Sequence, residues 1–100
     1  MLTPNLMLTG YAKGIFPMAE SRDADTLHWV DPERRGIFPL DGFHISRSLA
    51  RSILRHNYTI RTNSAFSEVV QRCAARPETW INGPLFGLYD QLHAIGHAQS

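Results

Sequence analysis

Apolar residues recur at helical spacing in four stretches of the chain and gather into three shorter runs with strand character. Leu6, Met7 and Tyr11 follow Thr3 and Pro4, which stand in the order of an N-cap and a first helical position, and Gly14 supplies a stop. That pattern predicts a helix over residues 4–13. Residues 15–18 are apolar but interrupted by Pro17, whereas residues 27–30 form a short strand-like run, with Trp29 as a core residue, closed by Asp31 and Pro32. Over residues 46–56, Leu49 and Ile53 share one side of a predicted helix while Arg47, Arg51 and Arg55 fall at i, i+4 and i+8 on another. Residues 58–61 alternate and read as a strand. Ser64 is placed to cap a helix whose Phe66, Val69, Val70 and Cys73 make an i, i+3, i+4, i+7 stripe ending before Pro77, which puts Cys73 in the core. Gly83 and Pro84 open a further helix with Leu85, Leu88, Leu92 and Ile95 on its apolar face and Gly96 at its end.

Strands and helices mixed in this order predict an α+β fold whose sheet lacks its later strands. One hundred residues allow one full domain at most. Charge divides the chain near residue 43, and a finer boundary lies near residues 32–36. Residues 1–43 hold four basic and six acidic side chains, and residues 44–100 hold six basic and three acidic. The net charge of +1 is too small to indicate wholesale coating of nucleic acid. The lone Cys73 cannot make an internal disulfide or a zinc cluster, which excludes a disulfide-stapled secretory scaffold and makes the reducing cytoplasm the expected compartment. Leu6, Met7 and Leu8 are far short of a signal sequence or of the roughly 20 residues that span a bilayer, so no membrane partner is expected.

Candidate chemistry centres on the second region. Residues 44–61 contain Arg47, Arg51, Arg55 and Arg61, two histidines and no acid. Guanidiniums spaced about 6 Å apart on one helix face can meet successive phosphates of a nucleic acid, or they can form a solvated helix face. Trp80 lies between Pro77 and the turn at residues 82–84, where helical periodicity does not account for it; it can stack on a base or plug the gap between two helices. His93 and His97 have no third ligand nearby and are separated by Gly96, so no metal is expected. No nucleophile elbow, phosphate-cradling loop or zinc spacing is present. His44 has no partner in sequence to make it a base, and Glu20, Asp23 and Asp25 read as a flexible acidic loop.

Five segments in order carry a resemblance: "GYAKGIFPM" at residues 10–18, "HWVDPERRGIFPL" at 28–40, "FHISRSLAR" at 43–51, "TWI" at 79–81 and "LHAIGHAQS" at 92–100. Together they resemble the leucyl/phenylalanyl-tRNA–protein transferases, over essentially the whole chain, although members of that family are about twice as long. The resemblance implies a small N-terminal domain, residues 1–35, followed by the beginning of a GNAT-type acyltransferase domain, residues 36–100. It also implies transfer of Leu or Phe, less often Met, from aminoacyl-tRNA to proteins beginning with Lys or Arg, in the N-degron route of protein degradation. No cofactor, a monomer and a cytoplasmic location go with that reading, and a non-catalytic RNA-binding module is the alternative to it.

By the same resemblance, Trp80 matches the tryptophan of the "TWI" motif that frames the pocket for the terminal adenosine and the aminoacyl side chain. Met18 follows "GIFP" at a site that is often Trp in the family and would line the same pocket with a thioether. Arg47, Arg51 and Arg55 match basic positions of a helix proposed to follow the tRNA acceptor stem, with Ala50 and Leu54 where some relatives carry lysines. Gln99 departs from the family's usual "GHAHS". The residues to which the family assigns proton handling lie outside residues 1–100, so no catalytic residue is expected here and the isolated chain is expected to be inactive.

Overall fold

Four helices and one hairpin make up the computed structural model, which describes residues 2–100. They are α1 (Pro4–Ala12), β1 (Phe16–Ala19), β2 (Leu27–Val30), α2 (Arg47–Arg55), α3 (Phe66–Cys73) and α4 (Gly83–Ala94). Both helix starts marked by proline carry a side-chain cap. Thr3 Oγ1 accepts the Leu6 N–H at 3.2 Å, and Asn82 Oδ1 accepts the Leu85 N–H at 3.0 Å. α1 and α4 both stop on a left-handed glycine, Gly14 (φ +80°) and Gly96 (φ +84°). In each case the next residue's N–H reaches back five positions, from Ile15 to the Gly10 carbonyl and from His97 to that of Leu92.

One cluster holds most of the buried apolar side chains among the described residues. Met7 of α1 packs against Leu85, Leu88 and Leu92 of α4 and against Ile81, with Leu27 of β2 and Val70 and Ala74 at its edge. β1 and β2 pair antiparallel, Pro17 opposite Trp29 and Met18 opposite His28. Pro17, Ala19, Leu27 and Trp29 therefore share one face, and Phe16, Met18, His28 and Val30 the other. The Trp29 indole lies on Gly10 so closely that a Cβ there would sit 2.5 Å from the ring.

The hairpin revises two readings of the sequence. Pro17 does not break β1, because N–H groups alternate along a strand and the one lost at Pro17 would point the same way as that of Ala19, away from β2. Trp29, expected in the core, is 43% exposed and covers α1 from outside.

α3 starts one residue later than expected, with Ala65 at its cap and no side-chain cap hydrogen bond. Its buried line runs Phe66, Val70, Ala74, at i, i+4 and i+8, which leaves Val69 and Cys73 exposed rather than in the core. Ile95 is the C-cap residue of α4 and is likewise exposed. Residues 58–61 are not a strand: Tyr58 and Ile60 stand in solvent, and no ladder partner lies beside them among the described residues. Residues 20–26, expected as a flexible loop, are fastened twice. Arg22 Nη2 donates to the Ala74 and Arg76 carbonyls at 2.8 and 2.6 Å, and Asn82 Nδ2 donates to the Ala24 carbonyl at 2.9 Å.

Residues 37–60 stand away from this body. The accessible surface of 8333 Å² exceeds the roughly 5,700 Å² of a compact 11.3 kDa protein, and the radius of gyration is 16.2 Å against about 13 Å. Ile37, Phe38, Leu40, Leu54, Tyr58 and Ile60 account for much of the excess, Leu40 being 99% exposed. α2 packs on no other helix or strand among the described residues.

Overpacking a tight contact costs about 1–3 kcal/mol, and replacing a helical glycine by alanine returns about 1 kcal/mol of propensity. Gly10→Ala is thus expected to lower stability by about 1 kcal/mol and to swing the Trp29 indole outward. Denaturant unfolding followed by Trp29 emission in a Trp80→Phe background checks this. Unchanged stability with unshifted emission would show that the ring is not seated on Gly10.

Candidate nucleic-acid and aminoacyl interface

Trp80 sits at the free edge of the hairpin. The Ala19 N–H donates to its carbonyl at 3.1 Å, so β1 is paired on one edge with β2 and held on the other by the 79–82 segment. Thr79 Oγ1 accepts the Ile81 N–H at 3.2 Å, and the Ile81 side chain is buried in the core. The Trp80 backbone is thereby fixed while its indole is 39% exposed. The ring meets Tyr89 of α4 edge-on, with centroids 6.4 Å apart and planes at 85°. A half-open indole on a fixed backbone, backed by another aromatic ring, combines an exposed stacking face with little freedom to lose on binding.

Met18 is one residue from Ala19, so the structure brings the backbones of the two sequence-predicted pocket residues together. Its side chain is half-buried on the face of the hairpin opposite Pro17 and Ala19, across from His28. The Nε2 of His28 lies 3.5 Å from a Glu20 carboxylate oxygen, which gives the open face a polar rim.

The sequence marks Tyr11 only as an apolar position of the first helix and does not mark Tyr89. Burial pushes the Tyr89 hydroxyl well above its usual 10.0, and the neighbouring Tyr11 hydroxyl pushes it further. Burial alone raises Tyr11. Both phenols are therefore neutral, and that of Tyr89 belongs to the ring that meets Trp80.

The arginine ridge is built as the pattern predicted but not where a body-facing helix would stand. Ser46 Oγ accepts the Leu49 N–H at 3.2 Å to start α2, and the His56 N–H closes it on the Ser52 carbonyl at 3.1 Å. Arg47, Arg51 and Arg55 are exposed, and none is in an ion pair among the described residues. Leu49 and Ile53, on another side of the helix, are about half exposed as well. No hydrogen bond or ring contact joins α2 to Trp80 or Met18 among the described residues, so the ridge and the aromatic group are separate surfaces.

A cleft of about 420 Å³ opens on the other side of the 81–83 segment, lined by Arg22, Gln71, Ala74, Ile81, Asn82 and Phe86 among others. Neither Trp80 nor Met18 lines it. His93 is engaged structurally, its ring stacked on Phe66 at 4.2 Å and its Nδ1 2.8 Å from the Ala98 carbonyl. No helix is long and apolar enough to cross a membrane among the described residues.

The raised Tyr89 value fixes an alkaline dependence. Above about pH 10 the unfolded chain releases the phenolic proton while the native chain keeps it, so stability present below that pH is lost as pH rises. Tyr89→Phe is expected to make the alkaline loss shallower, as read by denaturant midpoints at increasing pH; identical profiles for parent and variant would place the hydroxyl in solvent.

A family model described as leucyl/phenylalanyl-tRNA protein transferase matches residues 37–100, and one described as the N-terminal domain of that transferase matches residues 1–33. Among curated proteins, a leucyl/phenylalanyl-tRNA–protein transferase of Cereibacter sphaeroides is 64% identical over 99 residues, covering 99% of this chain and 46% of the relative. One of a Ruegeria species is 58% identical over 99 residues, covering 99% of this chain and 47% of the relative. A Jannaschia protein of the same name is 52% identical over 100 residues, covering 100% of this chain and 47% of its own length. The chain spans about half the length of the curated relatives it matches. With both family models aligned along it and identity above half throughout, the chain belongs to the leucyl/phenylalanyl-tRNA–protein transferase family.

Proposed function

We propose that these 100 residues supply the aminoacyl-tRNA-binding portion of an enzyme that moves Leu, Phe or, less often, Met from its tRNA to the N-terminal Lys or Arg of a protein. The observation that carries the reading is the half-exposed Trp80 indole, held on a fixed backbone beside Tyr89 and β1, in a chain of this family. Trp80 and Met18 flank the site of the terminal adenosine and the apolar aminoacyl side chain, and Arg47, Arg51 and Arg55 lie along the phosphates of the acceptor stem. The neutral α-amine of the acceptor attacks the ester carbonyl, the bond to the ribose oxygen breaks, and the proton lost by nitrogen ends on that oxygen. Amide formation from an activated ester is downhill, so positioning is the main task.

The finer parts of the proposal follow the family. A small domain over residues 1–35 leads into a GNAT-type acyltransferase domain that begins at residue 36. The product is marked for degradation by the N-degron route, in the cytoplasm, by a monomer that uses no cofactor. No reacting group is assigned within residues 1–100, and these residues alone are expected to be inactive. The apolar side chains left in solvent over residues 37–60 support that expectation.

The test is transfer from Phe-tRNA to an Arg-starting reporter peptide by an enzyme-length polypeptide that contains this chain. Transfer is expected; tRNA binding without transfer would make the protein a non-catalytic RNA-binding module. Trp80→Ala in that polypeptide should weaken aminoacyl-adenosine binding by about 1–3 kcal/mol, the worth of one stacked base, and unchanged affinity would leave Trp80 a structural side chain. Arg51→Ala with Arg55→Ala should reduce the slope of log affinity for tRNA against log salt by about two. An unaltered slope would remove the ridge from the interface.

A further inference from the structure

The amide of Asn82 is the best-buried polar group among the described residues, at 2% exposure, and both of its ends are committed. Its Oδ1 accepts the Leu85 N–H at 3.0 Å, which caps α4. Its Nδ2 donates to the Ala24 carbonyl at 2.9 Å, across 58 positions of sequence. Because the Leu85 N–H can only donate and the Ala24 carbonyl can only accept, the orientation of the amide is fixed. Capping needs only the oxygen, and a serine or aspartate would serve it equally well. The second bond is therefore not explained by helix capping.

Its consequence is positional. Two residues before Asn82, the Trp80 carbonyl is held by the Ala19 N–H at the end of β1, and Ala24 lies in the loop that leaves β1. Trp80 and Asn82 thus grip the hairpin at two points on either side of Ile81, which is itself anchored in the core. With both bonds in place, the 80–82 segment can neither slide along β1 nor rotate about it. Without the Asn82 bond the segment keeps the Ala19 bond at Trp80 and the Ile81 anchor but loses its tie to the loop that leaves β1, and the Ala24 carbonyl loses its partner. The one ring contact of the indole among the described residues is the edge-on one with Tyr89.

We infer that Asn82 is a positioning residue whose Nδ2–H···O bond to Ala24 sets the Trp80 indole relative to β1 and Met18. Its consequence for turnover rests on the proposed role of Trp80 at the aminoacyl-adenosine end of the tRNA. The discriminating variant is Asn82→Ser, which keeps an oxygen for the cap but is too short to reach the Ala24 carbonyl; Asn82→Asp keeps the shape and the cap and removes the donor. The enzyme-length polypeptide is labelled with 5-fluorotryptophan, and the Trp80 resonance is identified by its loss in Trp80→Phe. In both Asn82 variants that resonance should shift or broaden while the Trp29 resonance, identified by its loss in Trp29→Phe, stays in place. The KM for Phe-tRNA should rise between about tenfold and a hundredfold with kcat within about twofold, the pattern of a misplaced binding group. An unmoved Trp80 resonance in both variants overturns the inference, whatever KM does. A moved resonance with unchanged KM sustains the positioning role and instead overturns the assignment of Trp80 to the pocket, an outcome that Trp80→Ala with unchanged KM would confirm separately.

Discussion

The packing of Met7 against Leu85, Leu88 and Leu92 is the contact to which every other part of the body is fastened. α4 presents those leucines as one stripe, and its N-terminal side carries Ile81 into the same cluster, so the loop before the helix is as firmly seated as the helix. From that loop the order passes outward through directional bonds. The Trp80 carbonyl receives the Ala19 N–H, Asn82 reaches Ala24, and Arg22 fills the carbonyls at the end of α3. A two-stranded hairpin is marginal alone in water. Here its outer edge is closed by the same segment that carries the indole, and hairpin and Trp80 segment therefore hold or fail together.

Residues 37–60 obey a different balance. α2 has nine residues, below the roughly 12–15 at which even favourable helices become stable alone, and it gains nothing from packing on another element. Its three arginines at i, i+4 spacing repel one another by a few tenths of a kcal/mol per pair. Against that stand the Ser46 cap and Arg55 at the negative end of the helix. The ridge is thus a face whose own helix is strained by its charge, and a polyanion laid along it would relieve that strain as it binds.

Much of the body is legible in the order of residues because its signals are local. Thr3–Pro4 and Gly14 bound α1, Gly96 ends α4, and the run at residues 27–30 coincides with β2. What is not legible depends on partners far away in sequence. Pro17 reads as a breaker until the hairpin shows which way its missing N–H points. Cys73 reads as core because a stripe at i, i+3, i+4, i+7 ignores where the neighbouring helix lies; α4 takes the i, i+4, i+8 line instead. Residues 58–61 alternate as a strand does, but alternation describes side chains, and a strand also needs a second backbone beside it. At the candidate site the sequence marks Trp80 and Met18 through motifs, while Tyr89, Tyr11 and Asn82 matter through contacts that no spacing encodes.

The separation of the two candidate surfaces has a physical sense under the proposed function. Contacts to phosphate supply affinity and orientation without regard to sequence, whereas stacking and shape at the end of the nucleic acid decide what is accepted. The first task tolerates a loosely held helix, since a guanidinium attracts a phosphate over several ångströms and from many directions. Discrimination among aminoacyl groups does not, because one methylene in an apolar pocket is worth only about 1–3 kcal/mol and is lost if the walls give way. The anchoring differs along that line: among the described residues the arginines ride on a helix that packs on no other helix or strand, while the Trp80 backbone is gripped by Ala19, Thr79's hold on Ile81, and the buried amide of Asn82.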